Sequence, residues 1–241
     1  MAEKYYESRI KCDVLNALRK WRMIDSRSIV ASEYVLGSTG RRADLAIYNG
    51  SKLIGIEIKS KHDSLTRLKP QLEVYTACFD EVILVADEKH LASITNLILP
   101  GVRVFTASDS GSIIVWREAL APATKTKSVS LKLLTIGDLK KLVGVPIAAP
   151  VRKTALLTAA QELSDKLIFE TVAASFVHTF SETSTRFWDH VGRKNVSHSG
   201  LLHLSRFASE RTNVIQKKEK QQLFWELWRR QAKETLQIAS P

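Results

Sequence analysis

Apolar and polar positions alternate with a period of two on both sides of Asn49-Gly50, and such alternation puts successive side chains on opposite faces of a β-strand. Asn-Gly between two such runs is a strong hairpin signal, so residues 41–48 and 52–59 are expected to pair as strands. On the second strand Ile54, Ile56 and Ile58 share one face, while Leu53, Gly55, Glu57 and Lys59 share the other. On the first, Ala43, Leu45 and Ile47 form the apolar side and leave Asp44 opposite, with Ala46 and Tyr48. Upstream, Tyr6, Ile10, Val14 and Leu18 recur at helical spacing, and residues 28–36 read as a strand joined to the hairpin through Gly37-Ser38-Thr39-Gly40. Downstream, Pro70 is suited to begin a helix, because its missing N–H is not needed there, and Leu72, Tyr75, Thr76 and Phe79 form that helix's buried side. Residues 81–86, with Val82, Ile83, Leu84 and Val85 in an unbroken apolar run, read as a buried central strand, followed by expected strands at 102–107 and 113–116 with Gly111 between them.

At Pro122 the pattern changes. A polar, lysine-bearing link over 121–130 leads into helical periodicity, with helices expected at 136–143, 154–163 and 167–187, a loop at 144–150 and another at 192–199. A last amphipathic helix over 216–236 sets Leu223, Phe224, Leu227 and Trp228 on one side. The fold class is therefore α/β, with an α/β domain over 1–121 and a mainly α-helical, basic region over 122–241 that binds DNA or a partner.

The hairpin brings two carboxylates together. With a two-residue turn at Asn49-Gly50, Asp44 lies opposite Gly55 and diagonal to Glu57, about 7 Å away at Cβ. With a four-residue loop, Asp44 stands directly against Glu57; a three-residue loop would separate them. Two carboxylates this close repel unless a cation neutralises them, and an all-oxygen site suits Mg2+ or Mn2+. Gly55 would leave room beside Asp44 for the ion. If Leu36 pairs with Arg41, Glu33 also falls opposite Asp44, as a third ligand or as a surface cross-strand charge. Glu7 borders the core stripe of the first helix and either leans towards the metal or pairs with Lys11 one turn on. Arg67 lies near the same mouth, where its planar fork would clamp a phosphate.

Asp44 followed by Glu57-x-Lys59 resembles the PD-(D/E)xK signature of the restriction-endonuclease-like nucleases. The surrounding text, RADLAIYNG, EIKSKHDSLTRLKPQ and Gln71-x-x-x-Tyr75, is similar to a group of small stand-alone bacterial and phage proteins carrying an EIKSxxDSLxRLxxQ string. The resemblance is strong over about residues 6–85, weaker to 188 and absent beyond; Ala43 stands where the signature has proline. It implies an αβββαβ core with a mixed central sheet, in which Asp44, Glu57 and the backbone carbonyl of Ile58 bind the metal. Lys59 would orient or help deprotonate the attacking water, and Gln71 and Tyr75 would hold the site or contact DNA. It also implies a phage, mobile-element or defence setting.

The chain has 241 residues, 44% of them apolar, which is enough for one core of ordinary size and a second small one. No run approaches the length of a membrane span and the N-terminus reads as a charged amphipathic helix, so no membrane partner is expected. Cys12 and Cys78 form neither a metal-ligand spacing nor a disulfide framework, which fits a reducing cytoplasm, and His190, His198 and His203 match no zinc signature. A net charge of +11 favours a polyanionic partner, with seven basic residues against Asp138 alone over 121–160. DNA is the expected partner, with RNA as a further candidate. Cutting both strands of a duplex with one site per chain favours a homodimer, and the C-terminal helices are a candidate surface for it or for a protein partner. The competing class is a catalytically silent nucleic-acid-binding or adaptor protein.

Overall fold

A single mixed sheet organises the chain; the computed structural model describes residues 2–97 and 99–205. Helix α1 (Ala2–Lys20) precedes strands β1 (Ile29–Val35), β2 (Arg42–Tyr48) and β3 (Leu53–Lys59), then α2 (Leu68–Cys78) and β4 (Glu81–Asp87). A short α3 (Leu91–Thr95) leads to β5 (Val102–Ala107) and β6 (Ile113–Arg117). The six strands lie in sequence order, antiparallel from β1 to β3 and between β5 and β6, and parallel from β3 to β5.

The hairpin closes with four residues rather than two. Asn49 Oδ1 accepts from the backbone N–H groups of Ser51 and Lys52, and the Asn49 N–H donates to the Lys52 carbonyl at 3.2 Å. Gly50 takes φ 94° in that loop, where a side chain would be strained. The resulting register pairs Leu45 with Ile56 and Tyr48 with Leu53. Helix α2 begins two residues before Pro70, so the proline occupies the third helical position, still inside the first turn where N–H groups lack partners.

Two cores lie against the sheet. One joins Val14, Leu15 and Leu18 of α1 to Ile47, Ile54, Ile56 and Ile58. The other joins Ala46, Leu53 and Leu84 to Leu72, Tyr75 and Phe79 and also to the later helices. Those helices are α4 (Lys127–Lys132), α5 (Ile136–Leu142), α6 (Lys153–Gln161), α7 (Asp165–Val191) and α8 (His198–Leu202). Helix α4 begins inside the stretch expected to be a polar link, over 121–130. Capping sets several boundaries: Ser164 accepts from the Leu167 N–H to start α7, and Thr135 with Asp138 forms a reciprocal capping box on α5.

The expected domain division at 121/122 falls inside one compact unit that runs to Leu204. Leu131, Leu139, Leu156, Phe176 and Phe180 bury their apolar faces in the same core as the sheet. Each such side chain stabilises the fold by roughly 1.5–3 kcal/mol on burial, so the helices gain their stability from the sheet they cover. The expected helix over 216–236 lies outside the described residues.

Candidate functional site

Register sets the first two carboxylates. Continuing the Leu45 and Ile56 pairing by one step places Asp44 directly across from Glu57. Asp44 Oδ2 accepts from the Ile58 N–H at 2.7 Å. Glu57 and Lys59, two apart on β3, share a face, and Lys59 Nζ donates to Glu57 Oε1 at 2.6 Å. The Tyr75 hydroxyl, carried in by α2, lies 2.6 Å from Glu57 Oε2 and 2.7 Å from the Arg42 carbonyl. Glu57 is only 2% exposed, so both its oxygens need these partners. Burial, and then the Glu57 carboxylate beside it, push the Tyr75 phenol far above its ordinary range.

Asp44 is held differently. Its own burial, and then the neighbouring charge of Glu57, raise its pKa to about 8, against the opposing pull of Lys11 and the Ile58 N–H. Near neutral pH the carboxyl is thereby held largely in its neutral form unless a further cation joins it.

A second group of charges meets the first from α1 and β1. The Leu36 N–H donates to the Arg41 carbonyl at 2.9 Å, and the pairs Ser32 with Leu45 and Tyr34 with Ala43 place Glu33 across from Asp44. Glu33 adopts φ 59°, a left-handed conformation uncommon outside glycine, which kinks β1 at the site. Carboxylate oxygens of Glu7, Glu33 and Asp44 lie within 4.8 Å of one another. Among them sits the ammonium of Lys11, a residue only 5% exposed. Lys11 Nζ is 2.6 Å from Glu7 Oε1 and also donates to Glu33 Oε1, while Arg42 Nε is 2.7 Å from Glu33 Oε2. Burial works against the Lys11 charge, but the bonds to Glu33 and Glu7 outweigh it and hold its pKa above the ordinary lysine value. Glu7 therefore both pairs with Lys11 and joins the acidic cluster.

A cleft of about 520 Å3 opens over these groups. Asp44, Glu57, Ile58 and Lys59 line it, together with Glu7, Arg67 and Gln71. Tyr75 is fully buried and acts on the cleft through Glu57. Gly55 serves a purpose other than the expected one. A Cβ there would meet the Phe79 ring at 2.3 Å, so the missing side chain makes room for Phe79 and not for an ion.

Lys11, Arg41 and Arg42 are site residues that the motif does not reveal; both arginines line the cleft. Lys11 could have been suspected, since positions 7, 11, 14 and 18 follow one helical stripe and two of them are core. In the later helices and the segment leading into them, several lysines are already engaged. Lys125 pairs with Asp80, Lys127 with the carbonyls of Gln161 and Leu163, and Lys140 with those of Ile147 and Ala149. His190 and His203 stack at 4.6 Å, but among the described residues the acidic triplet is the only grouping of three or more metal-ligating side chains. No helix among those residues is long and apolar enough to cross a membrane.

A family model described as bacteriophage P4 protein cII matches residues 1–205. Protein cII of Enterobacteria phage P4 is 30% identical over 226 residues, which cover 91% of this chain and 84% of that protein. A protein of unknown function from Silicibacter pomeroyi superposes with a TM-score of 0.32 at 18% identity, over 64% of this chain and 80% of its own, too low to speak to fold.

Proposed function

This chain belongs to the bacteriophage P4 cII family, and we propose that it is a metal-dependent nuclease hydrolysing phosphodiester bonds of DNA. The observation that carries the reading is the convergence of Asp44, Glu57 and Lys59 in the lining of one cleft that also includes Arg67 and Gln71. The order α1-β1-β2-β3-α2-β4 supports it too, being the αβββαβ arrangement that the PD-(D/E)xK resemblance implies. A phage family is in keeping with a phage or mobile-element setting.

The donor set fits a hard divalent ion. Its ligating groups are all oxygen, and Asp44, with its pKa raised by burial and by Glu57, lacks enough neighbouring positive charge. Asp44, Glu57 and the carbonyl of Ile58 would hold Mg2+ or Mn2+. Such an ion, when bound, acidifies water and polarises phosphoryl oxygen. Lys59 keeps a cation at the reacting phosphate, where it stabilises developing negative charge. Tyr75 holds the Glu57 carboxylate in one orientation, and Arg67 grips a backbone phosphate at the mouth. Action on both strands of a duplex would call for two chains, or for two successive cuts.

One observation favours a second reading, that of a catalytically silent nucleic-acid-binding or adaptor protein. Lys11 already supplies positive charge to Glu7 and Glu33 without an ion. Incubating the full chain with plasmid, linear duplex, single-stranded DNA and RNA, with Mg2+ or Mn2+, separates the two. The nuclease reading expects cleavage that EDTA abolishes and that Asp44→Asn and Lys59→Ala each lower by about a hundredfold or more. Intact nucleic acid under every condition, together with salt-sensitive binding, would establish the silent one.

A further inference from the structure

We infer that Lys11 is a built-in cation that restricts the acidic site to one divalent ion. The inference rests on the nuclease reading and concerns how many ions that site takes.

A lysine in mid-helix on a core stripe is costly to bury unless its charge is met, and Lys11 is 5% exposed. Its ammonium meets two carboxylates, Glu7 and Glu33, through one oxygen of each. Oxygens of Glu7, Glu33 and Asp44 lie within 4.8 Å of one another, the spacing of ligands around a single hard cation. An ammonium and a divalent ion compete for the same lone pairs, so the place a second ion would take is filled by Nζ. The other oxygen of Glu33 is bound by Arg42, which closes that carboxylate to further ligands.

Charge balance leads to the same conclusion. Five carboxylates, those of Glu7, Glu33, Asp44, Glu57 and Asp63, share the site with five cationic side chains, those of Lys11, Arg41, Arg42, Lys59 and Arg67. One divalent ion turns that balance into a modest positive charge, suited to a phosphate. Two would load the site with positive charge while Lys11 stayed in place. The single ion is held by Asp44, Glu57 and the Ile58 carbonyl, and Glu7 and Glu33 act on it through Lys11.

Counting Mn2+ bound to the metal-free chain, by equilibrium dialysis and by loss of the free-ion paramagnetic signal, tests the inference without any turnover. The expected result is one Mn2+ per wild-type chain, one for Lys11→Arg, and two for Lys11→Met, in which Glu7 and Glu33 are released. Circular dichroism checks that each variant is folded. Should Lys11→Met fail that check, Glu33→Gln decides: it leaves the single-ion affinity within a factor of about three if Glu33 serves Lys11, and lowers it tenfold or more if Glu33 is a ligand. Two ions in the wild type, one in folded Lys11→Met, or the tenfold loss in Glu33→Gln would overturn the inference and leave the nuclease reading standing. No Mn2+ on any of the proteins would overturn both.

Discussion

The two halves of the site are built on different principles. On the β2–β3 side, Glu57 is 2% exposed and each of its oxygens has a short bond, to Lys59 or to Tyr75. On the α1–β1 side, the carboxylates of Glu7 and Glu33 are 36% and 39% exposed and are gathered by one buried ammonium across a kinked strand. The first half is positioned by strand neighbours two residues apart or directly opposite, which allows little adjustment. The second depends on how a helix lies beside a strand, and water can replace part of what it loses. Precision belongs to the first half and charge tuning to the second.

The largest expected effect comes from unpairing the buried half. Lys59→Ala should lower cleavage by about 10²- to 10³-fold. It should also cost about 3–5 kcal/mol in urea unfolding, because Glu57 is left charged and buried. Tyr75→Phe removes a hydroxyl from both Glu57 and the Arg42 carbonyl, and a loss of about 1–3 kcal/mol is expected from the same measurement. A loss below that range for either variant would show Glu57 to be better solvated than its burial indicates.

Asp44 gives a pH-dependent comparison. Its pKa is 3.8 in an unstructured chain and about 8 when folded, so between these values the folded state binds more protons than the unfolded state. Stability without metal should therefore fall as pH rises from about 4 to 8, the carboxyl's contribution being fully present below that window and lost above it. Asp44→Asn should remove this dependence, leaving the metal-free variant more stable than wild type at pH 8. An unchanged pH profile in the variant would contradict the assignment. The smallest effect is expected from Glu7→Gln, within about 1 kcal/mol, as for other part-exposed ion pairs. A larger loss would erase the distinction between the halves.

Much of the β2–β3 half can be read along the chain, since alternation assigns faces and Asn49-Gly50 marks the turn. What alternation leaves open is the loop length, and the Asn49 side chain settles it by capping Ser51 and Lys52. The α1–β1 half is less legible, because nothing local says that Lys11 will meet Glu33 from 22 residues away. Gly55 is misleading for a related reason: its neighbour Phe79 arrives from the end of α2, and a glycine's vacancy does not announce which group fills it. The change at Pro122 marks a switch from strands to helices but not a new core, since Phe176 and Phe180 pack with the sheet.

Helix α7 does more than cover a face. Phe176 and Phe180 enter one core, Phe187, Trp188 and Val191 the other, and between them Ser184 accepts from the Val30 N–H of β1. Ser184 Oγ and Trp188 Nε1 both donate to the Ser28 carbonyl just ahead of that strand. Backbone groups at the start of an outermost strand are thereby occupied by the protein's own side chains, which guards that margin against templating by a stray extended peptide and against runaway polymerisation.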